Sequence, residues 1–243
     1  MITEEIDQLL ANLKLRRMRE IVARELKRAA EQGTAPDEFL LRLLREQWAY
    51  AQERTACNRL ESARIAEKFD LSTFPYTLQT GVQRSQIEHL SHLEFLSQGG
   101  NVIFIGEPGV GKTGIATGLL LRAVQAGHSG RFIKAQDLFD QMYTSLADRT
   151  TRAYLNSLAR LPLLLIDELG YLTIRPEQAN IFFRLMDMRY TAKRSTLITT
   201  NLEYDGWGKL LGDEDKAKAM LSRLRHNCTT IHINGPTLQT PKG

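Results

Sequence analysis

The chain has 243 residues, 42% of them hydrophobic and 25% charged, with a formal net charge of +4, which suits one α/β domain with a small addition. No apolar run approaches the roughly 20 residues of a membrane-spanning helix, no signal-peptide pattern opens the chain, and Cys57 and Cys228 lack metal-ligand spacing. We therefore expect a cytoplasmic protein with no membrane partner and no zinc site.

Residues 1–69 are predicted to form a small, all-helical interaction domain. Apolar residues from Ile6 to Leu13 recur every three or four positions and Gly33 offers a C-terminal cap, which predicts one helix across this segment. A second helix is expected after Thr34, because apolar residues from Phe39 to Trp48 have the same spacing. Two helices bury little apolar surface alone, so we expect them to pack on each other and on a partner protomer or the ATPase domain.

The first predicted helix carries a basic run. Seven lysines and arginines occupy fifteen positions, with only Glu20 and Glu25 among them. A solvated helical face and a surface that follows nucleic-acid phosphates explain such a run equally well. Under the second interpretation the DNA-binding candidates are Lys14, Arg16, Arg17, Arg19, Arg24, Lys27 and Arg28.

The remainder reads as a linker, residues 70–82, followed by an ATPase domain, residues 83–243. Pro75 restricts Phe74 to extended backbone, which interrupts the helical period. Apolar strands then alternate with helices, a pattern typical of a parallel sheet covered on both faces. The predicted strands are 102–105, 131–133, 163–166, 196–200 and 229–233, and the predicted helices are 83–97, 112–126, 135–146, 152–160, 176–190 and 213–225.

A glycine-rich segment after the first of these strands matches GxxxxGK[ST], the P-loop, and is followed by a helix as that motif requires. Glycines let backbone N–H groups face phosphates, Lys112 offers a positive charge to the β- and γ-phosphates, and the Thr113 hydroxyl can bind Mg²⁺. We expect ATP and Mg²⁺ as cofactors. The predicted nucleotide-binding residues are Gly106, Glu107, Pro108, Gly109, Val110, Gly111, Lys112, Thr113 and Gly114.

Polar residues also end two other apolar strands. Asp167 and Glu168 follow Leu163 to Ile166, at the edge where open α/β sheets bind ligands, so Asp167 is predicted to hold Mg²⁺ and Glu168 to polarise the attacking water. An acidic loop after the strand is the alternative. Asn201 ends the strand 196–200 and would face the water or the γ-phosphate if that strand lies between the other two, although asparagine is also a common turn residue.

The order of these motifs resembles one family. The P-loop, Leu-Ile-Asp-Glu-Leu-Gly, Thr-Thr-Asn-Leu, Trp207-Gly and Ser222-Arg-Leu-Arg together resemble the IstB-like ATPases, helper proteins of insertion-sequence transposons related to DnaC helicase loaders within the AAA+ class. The resemblance implies an AAA+ P-loop NTPase fold with a parallel five-stranded sheet in the order 5-1-4-3-2. Because the sequence stops at Gly243, we expect no C-terminal lid of the kind that many AAA+ proteins have. The resemblance also implies that Asn201 is sensor 1 and that Arg223 is an arginine finger for the neighbouring subunit's nucleotide.

By the same resemblance, the protein is an oligomeric ATPase that assembles on double-stranded DNA in its ATP state and assists a cognate transposase. Arg149 and Arg152, after the second strand, are further candidates for phosphate contacts. Arg223 and Arg225 have an alternative role as ordinary charges at a helix C-terminus. A helicase loader and a nucleotide switch without a DNA role remain alternatives. Gly235 to Gln239 replaces the family's Gly-Glu-Ser-Tyr-Arg, so no sensor 2 arginine is assigned.

Overall fold

The computed structural model describes residues 4–65, 67–170 and 172–238. The chain forms two compact units that divide between Asn58 and Arg59. The functional division into residues 1–69, 70–82 and 83–243 stays a prediction, and Gln239 lies outside the described residues. Within the described ranges, no helix is both long enough and apolar enough to cross a bilayer.

The N-terminal unit contains helices α1 (Glu4–Asn12) and α2 (Arg16–Gln32) and most of α3 (Pro36–Ser62). Gly33 ends α2 in left-handed backbone, with φ of 61°, and donates its N–H to Ala29 O as a cap. The small core of this unit is built from one apolar face of each helix, namely Leu10, Met18, Ile21, Val22 and Leu43.

The prediction of one continuous helix before Gly33 is wrong. The chain breaks between Asn12 and Arg16, where Lys14 has a φ of 58°. A continuous helix would separate Leu10 and Ile21 by about 16 Å along its axis, at a rise of about 1.5 Å per residue. The break instead lets both side chains share one core. Burial of apolar surface therefore overrides the helical period.

The second unit is built on a parallel sheet of five strands: β1 (Asn101–Gly106), β2 (Gly130–Lys134), β3 (Leu163–Leu169), β4 (Ser195–Thr200) and β5 (Cys228–Ile233). Their spatial order is β2-β3-β4-β1-β5, which confirms the predicted order 5-1-4-3-2. The strands read as continuous apolar runs because helices cover both faces of the sheet. Thus β4 lies between the P-loop strand and the Asp167 strand.

Eight helices accompany the sheet in the described part of this unit. The predicted helix 83–97 is interrupted at Leu93, which has a φ of 64°, and the short helix after Gly206 was not anticipated. The others match their predicted positions within a few residues. The eight α-helices are α4 (Arg84–Ser91), α5 (Glu94–Ser97), α6 (Lys112–Gln125), α7 (Ala135–Ala147), α8 (Thr151–Ala159), α9 (Pro176–Thr191), α10 (Trp207–Leu211) and α11 (Glu214–Arg225).

The segment before the sheet packs against the P-loop helix. Phe69 and Leu71 contact the same core cluster as α6, and Phe74 is buried in it. At Gly118, a Cβ atom would lie 2.7 Å from Leu71 Cδ2, so the segment approaches α6 more closely than any larger residue would permit. This contact brings aromatic side chains to the edge of the P-loop.

Candidate nucleotide site

The P-loop connects β1 to α6 and needs glycine at its tightest positions. Gly109 and Gly111 have φ values of 80° and 97°, in the left-handed region that side chains disfavour. At Gly106, a Cβ atom would lie 2.5 Å from Ile233 O on the adjacent strand β5. Gly111 is also the residue that precedes the first turn of α6. The loop therefore presents backbone N–H groups at a helix N-terminus, an arrangement suited to phosphate.

Lys112 is held inside this loop. Its Nζ donates hydrogen bonds of 2.7 Å to Gly106 O and to Glu107 O. Partial burial lowers the pKa of the Lys112 ammonium, and the carboxylates of Asp167, Glu107 and Glu168 oppose that shift. The ammonium is therefore positioned at the loop by weak carbonyl acceptors, which an anionic phosphate can replace.

Two threonine hydroxyls hold the Asp167 carboxylate at the end of β3. Asp167 is 1% exposed, and its Oδ1 accepts hydrogen bonds from Thr113 Oγ1 at 2.9 Å and from Thr199 Oγ1 at 2.6 Å. Burial raises the pKa of Asp167, while the hydrogen bonds from Thr199 and Thr113 work in the opposite direction. A hydroxyl and a carboxylate in contact provide the hard oxygen donors that Mg²⁺ prefers.

Glu168 adopts an unusual backbone conformation beside this carboxylate. Its φ is 60°, and the β3–β4 pairing changes register between Ile166 and Leu169. Glu168 N donates to Thr199 Oγ1 at 2.9 Å, while its Oε2 lies 3.4 Å from Lys134 Nζ at the end of β2. The bulge therefore turns the Glu168 side chain out of the core and toward the neighbouring strand.

Asn201 lies directly after β4, as the strand order requires. Its Oδ1 is buried and has no hydrogen-bond partner among the described residues. Gly170 packs so closely on this amide that a Cβ atom would collide with Asn201 Oδ1. Because buried polar atoms are normally satisfied, the free acceptor fits a water molecule or a ligand group within the site.

These elements line one cavity of about 560 Å³. Phe74 and Leu238 both approach Gly111, and Leu238 N donates to Gly109 O at 2.8 Å. Gln79 Nε2 stabilises this contact between the P-loop and the C-terminal segment, because it donates hydrogen bonds to Val110 O at 3.0 Å and to Pro236 O at 2.9 Å. The apolar part of the lining suits a planar base, whereas the P-loop part suits phosphates. The lining residues include Glu67, Phe69, Phe74, Pro75, Pro108, Gly109, Gly111, Lys112, Thr113, Gly114, Thr117, Glu168, Thr199, Thr200, Asn201 and Leu238.

Sequence reasoning missed three contributions to this site. Lys134 pairs with Glu168, Thr199 bridges Asp167 and Glu168, and the aromatic lining comes from Phe69 and Phe74, around the start of the predicted linker. Only the Thr199-Thr200-Asn201 motif gave a signal beforehand, and it gave no role for Thr199. Lys134 carries no motif, and its role depends on the register of β2 against β3, which pairs Lys134 with Asp167, the residue before Glu168.

Arg223 does not line this cavity. It lies in the last turn of α11, where its Nε is 3.1 Å from Asp187 Oδ1 and its guanidinium lies 5.2 Å from the centre of the Phe183 ring. The neighbouring Arg225 lies over the Tyr204 ring at 4.6 Å. Arg223 is partly exposed, so its guanidinium is accessible away from this chain's own nucleotide cavity.

The basic run divides into paired and unpaired side chains. Arg17 pairs with Glu46, and Arg19 pairs with Asp7 at 2.7 Å. Arg24 pairs with Glu25, and Lys27 pairs with Glu31. In the described part of the chain, no carboxylate lies within 4.0 Å of Lys14, Arg16, Arg28, Arg149 or Arg152.

The two arginines after β2 lie at the junction of α7 and α8. Arg149 has a φ of 56° in the turn between these helices, and Arg152 lies in the first turn of α8. Both side chains are exposed. The structure places them on the surface without bringing them to the nucleotide cavity.

The chain matches a known family over nearly its whole length. The model of the family described as IstB-like ATP binding protein covers residues 8–241. A Pseudomonas aeruginosa protein whose name refers to insertion sequence IS21 and ATP binding is 35% identical over 231 residues, or 95% of this chain and 87% of the relative. A similarly named protein of IS232 from Bacillus thuringiensis subsp. berliner is 37% identical over 166 residues, which are 68% of this chain and 66% of the relative.

The fold also has solved counterparts. The crystal structure of the DnaC helicase loader aligns with a TM-score of 0.58 and 23% sequence identity, over 68% of this chain and 96% of that one. At this identity the likeness concerns the fold, which is that of the AAA+ P-loop proteins.

Proposed function

The chain belongs to the family of IstB-like ATP binding proteins, and from that premise we propose that it is an AAA+ ATPase that assembles on double-stranded DNA and assists a transposase. The observation that carries the ATPase part is the convergence of the P-loop, Glu168 and Asn201 on one cavity, with Asp167 directly behind its lining, where it accepts a hydrogen bond of 2.9 Å from the Thr113 hydroxyl. The insertion-sequence context of the relatives supports the transposition part.

The site residues divide the work of hydrolysis. Lys112 and the P-loop N–H groups would bind the phosphates, and Thr113 and Asp167 would hold Mg²⁺. Mg²⁺ held by these residues would supply positive charge that offsets the negative charge of the phosphates. Glu168 accepts a hydrogen bond from the attacking water, and Asn201 orients that water or the γ-phosphate. ADP and inorganic phosphate are the products.

We propose that the active form is an oligomer. Arg223 lies outside its own cavity and retains an accessible guanidinium, held by Asp187 and Phe183. An arginine supplied to a neighbouring subunit stabilises negative charge on the transferred phosphoryl group and makes hydrolysis depend on assembly. ATP would therefore favour assembly of the oligomer, and hydrolysis of ATP would set the lifetime of that oligomer.

The test is the size of the purified full chain with ATP on duplex and on single-stranded DNA. Glu168→Gln keeps the phosphate contacts but removes the general base, so it should hold the ATP state, while Lys112→Ala serves as the control that cannot bind ATP. We expect a large complex that needs both ATP and duplex, and that recruits a cognate transposase. A preference for single strands would favour a helicase loader instead, and a complex that forms equally with Lys112→Ala would refute ATP-dependent assembly.

A further inference from the structure

A second cavity lies entirely within the helical unit and is distinct from the nucleotide site. Its volume is about 510 Å³. The break between α1 and α2 supplies part of it, and α3 supplies a residue that sequence reasoning did not connect with the basic run. The lining residues are Leu10, Ala11, Lys14, Arg16, Arg19 and Arg54.

Four of the six lining side chains are cationic, and the described lining contains no acid. Arg19 alone is neutralised, because its Nε and Nη2 atoms each lie 2.7 Å from an oxygen of Asp7. For Lys14, Arg16 and Arg54, no carboxylate of the described chain lies within 4.0 Å. Three uncompensated positive charges around one concavity repel each other, and an anion would relieve that repulsion.

The fold, and not the spacing along the sequence, determines which basic residues line the cavity. Lys14 has a φ of 58° and its N–H donates to Ala11 O at 3.0 Å, so the turn between α1 and α2 fixes its position. Arg54 comes from α3. In contrast, Arg17 does not line the cavity and instead lies within ion-pair distance of both Glu20 and Glu46.

We propose that this cavity binds phosphate groups of the DNA backbone. The proposal rests on the proposed function, because it takes duplex DNA as the ligand. All four cationic residues are exposed at long, flexible side chains, and the cavity is open, which suits a polymer lying across it. Leu10 and Ala11 are the apolar members of the lining, and the ammonium and guanidinium groups beside them can neutralise phosphates. Such contacts do not involve the bases of the DNA. Binding here would be sensitive to salt and weakly dependent on sequence.

The experiment measures duplex affinity of the full chain with ATP across a range of salt concentrations. The variant is Arg54→Gln and the matched control is Arg45→Gln, which makes the same charge change at an exposed position on the same helix, outside the cavity. Gln and Arg have similar helix propensity, so both variants should keep the fold. Far-UV circular dichroism and thermal unfolding check this directly.

We expect Arg54→Gln to weaken duplex binding and to reduce the slope of log affinity against log salt by about 0.9, the value for one lost phosphate contact. Arg45→Gln should leave the slope unchanged, Arg54→Lys should restore it, and Arg16→Gln with Arg54→Gln should reduce it by about 1.8. ATP affinity should be the same in all of these variants.

Three results would overturn the inference. Equal slopes for Arg54→Gln and the wild type would exclude a phosphate contact in the cavity, and equal losses in Arg54→Gln and Arg45→Gln would indicate a diffuse charge effect. A loss of affinity for inorganic phosphate, with unchanged duplex affinity, would assign the cavity to a small anion. If the wild type itself bound no duplex at low salt, the proposed function would fail together with this inference. If the wild type bound duplex but the Arg54→Gln slope were unchanged, only the inference about the cavity would fail.

Discussion

The ion pair between Lys134 and Glu168 gives the most direct test of how the site is regulated. The Lys134 Nζ atom lies 3.4 Å from Glu168 Oε2, and the two side chains are 54% and 57% exposed. This pair holds the proposed general base against β2. A base occupied in this way must leave the ion pair before it can accept a hydrogen bond from the attacking water. We therefore expect Lys134→Ala to increase ATP turnover in the absence of DNA.

The magnitude follows from the exposure of the pair. Ion pairs between exposed side chains contribute about 0.2–1 kcal/mol. Since about 1.4 kcal/mol corresponds to a factor of ten, release of Glu168 should raise the DNA-free turnover by about 1.4- to 5-fold. ATP affinity should change little, because phosphate binding depends on Lys112 and the P-loop. Added salt should raise wild-type turnover in the same direction by screening the pair.

The assay is steady-state phosphate release without DNA, with Lys209→Ala as the control. Lys209 is exposed and makes no ion pair within the described part of the chain. The double variant with Glu168→Gln should be as inactive as Glu168→Gln alone. A Lys134→Ala enzyme whose DNA-free turnover is unchanged or reduced would refute the idea that this pair restrains the base.

Thr199→Val should lower the free energy of unfolding by about 2 kcal/mol, because it removes a hydrogen bond to buried Asp167 and leaves the Glu168 N–H without its acceptor. Chemical denaturation checks this, and Thr199→Ser, which keeps the hydroxyl, should retain most of the stability. Arg223→Ala should reduce hydrolysis by 10³-fold or more in the assembled state while sparing ATP binding by one protomer; normal turnover would assign Arg223 to its ion pair with Asp187. Burial raises the pKa of Asp167, so its contribution to ligand-free stability is present below pH 3.8 and is lost as the pH rises through the folded-state pKa. The same titration should weaken Mg²⁺-dependent hydrolysis as the pH falls, and Asp167→Asn should remove the corresponding pH dependence of unfolding measured without ligand.

Several features of the site were predictable because they depend on short stretches of chain. The P-loop glycines, Lys112 and Thr113 are specified by the backbone and charge requirements of a phosphate cradle. The strand before Asp167 is recognisable from its apolar run, and the strand order places Asn201 between the other two motifs, as predicted. The loop and the strand before Asp167 follow from local spacing and from the rule that parallel strands end at one edge, whereas the strand order followed from the resemblance to the IstB-like ATPases.

The break at Lys14 could not be predicted in the same way. Local periodicity favours a continuous helix there, and only the shared core of Leu10 and Ile21 makes the turn favourable. The basic run likewise looked uniform, whereas packing pairs Arg17 and Arg19 with acids from other elements. Charge compensation depends on which helices meet, and that is a property of the tertiary structure.

From the amino-acid sequence alone, local motifs and apolar periods determined the α/β class and the phosphate-binding loop of this protein, because they act over a few neighbouring residues. The family and the strand order followed from the resemblance of the combined motifs to the IstB-like ATPases. Tertiary structure alone decided that Lys134 meets Glu168, that Thr199 bridges the two acidic residues, and that Arg54 joins Lys14 at one cavity. These contacts join residues more than 30 positions apart, with no local signal to connect them. Only the burial of the sheet and of the helical core brings them together.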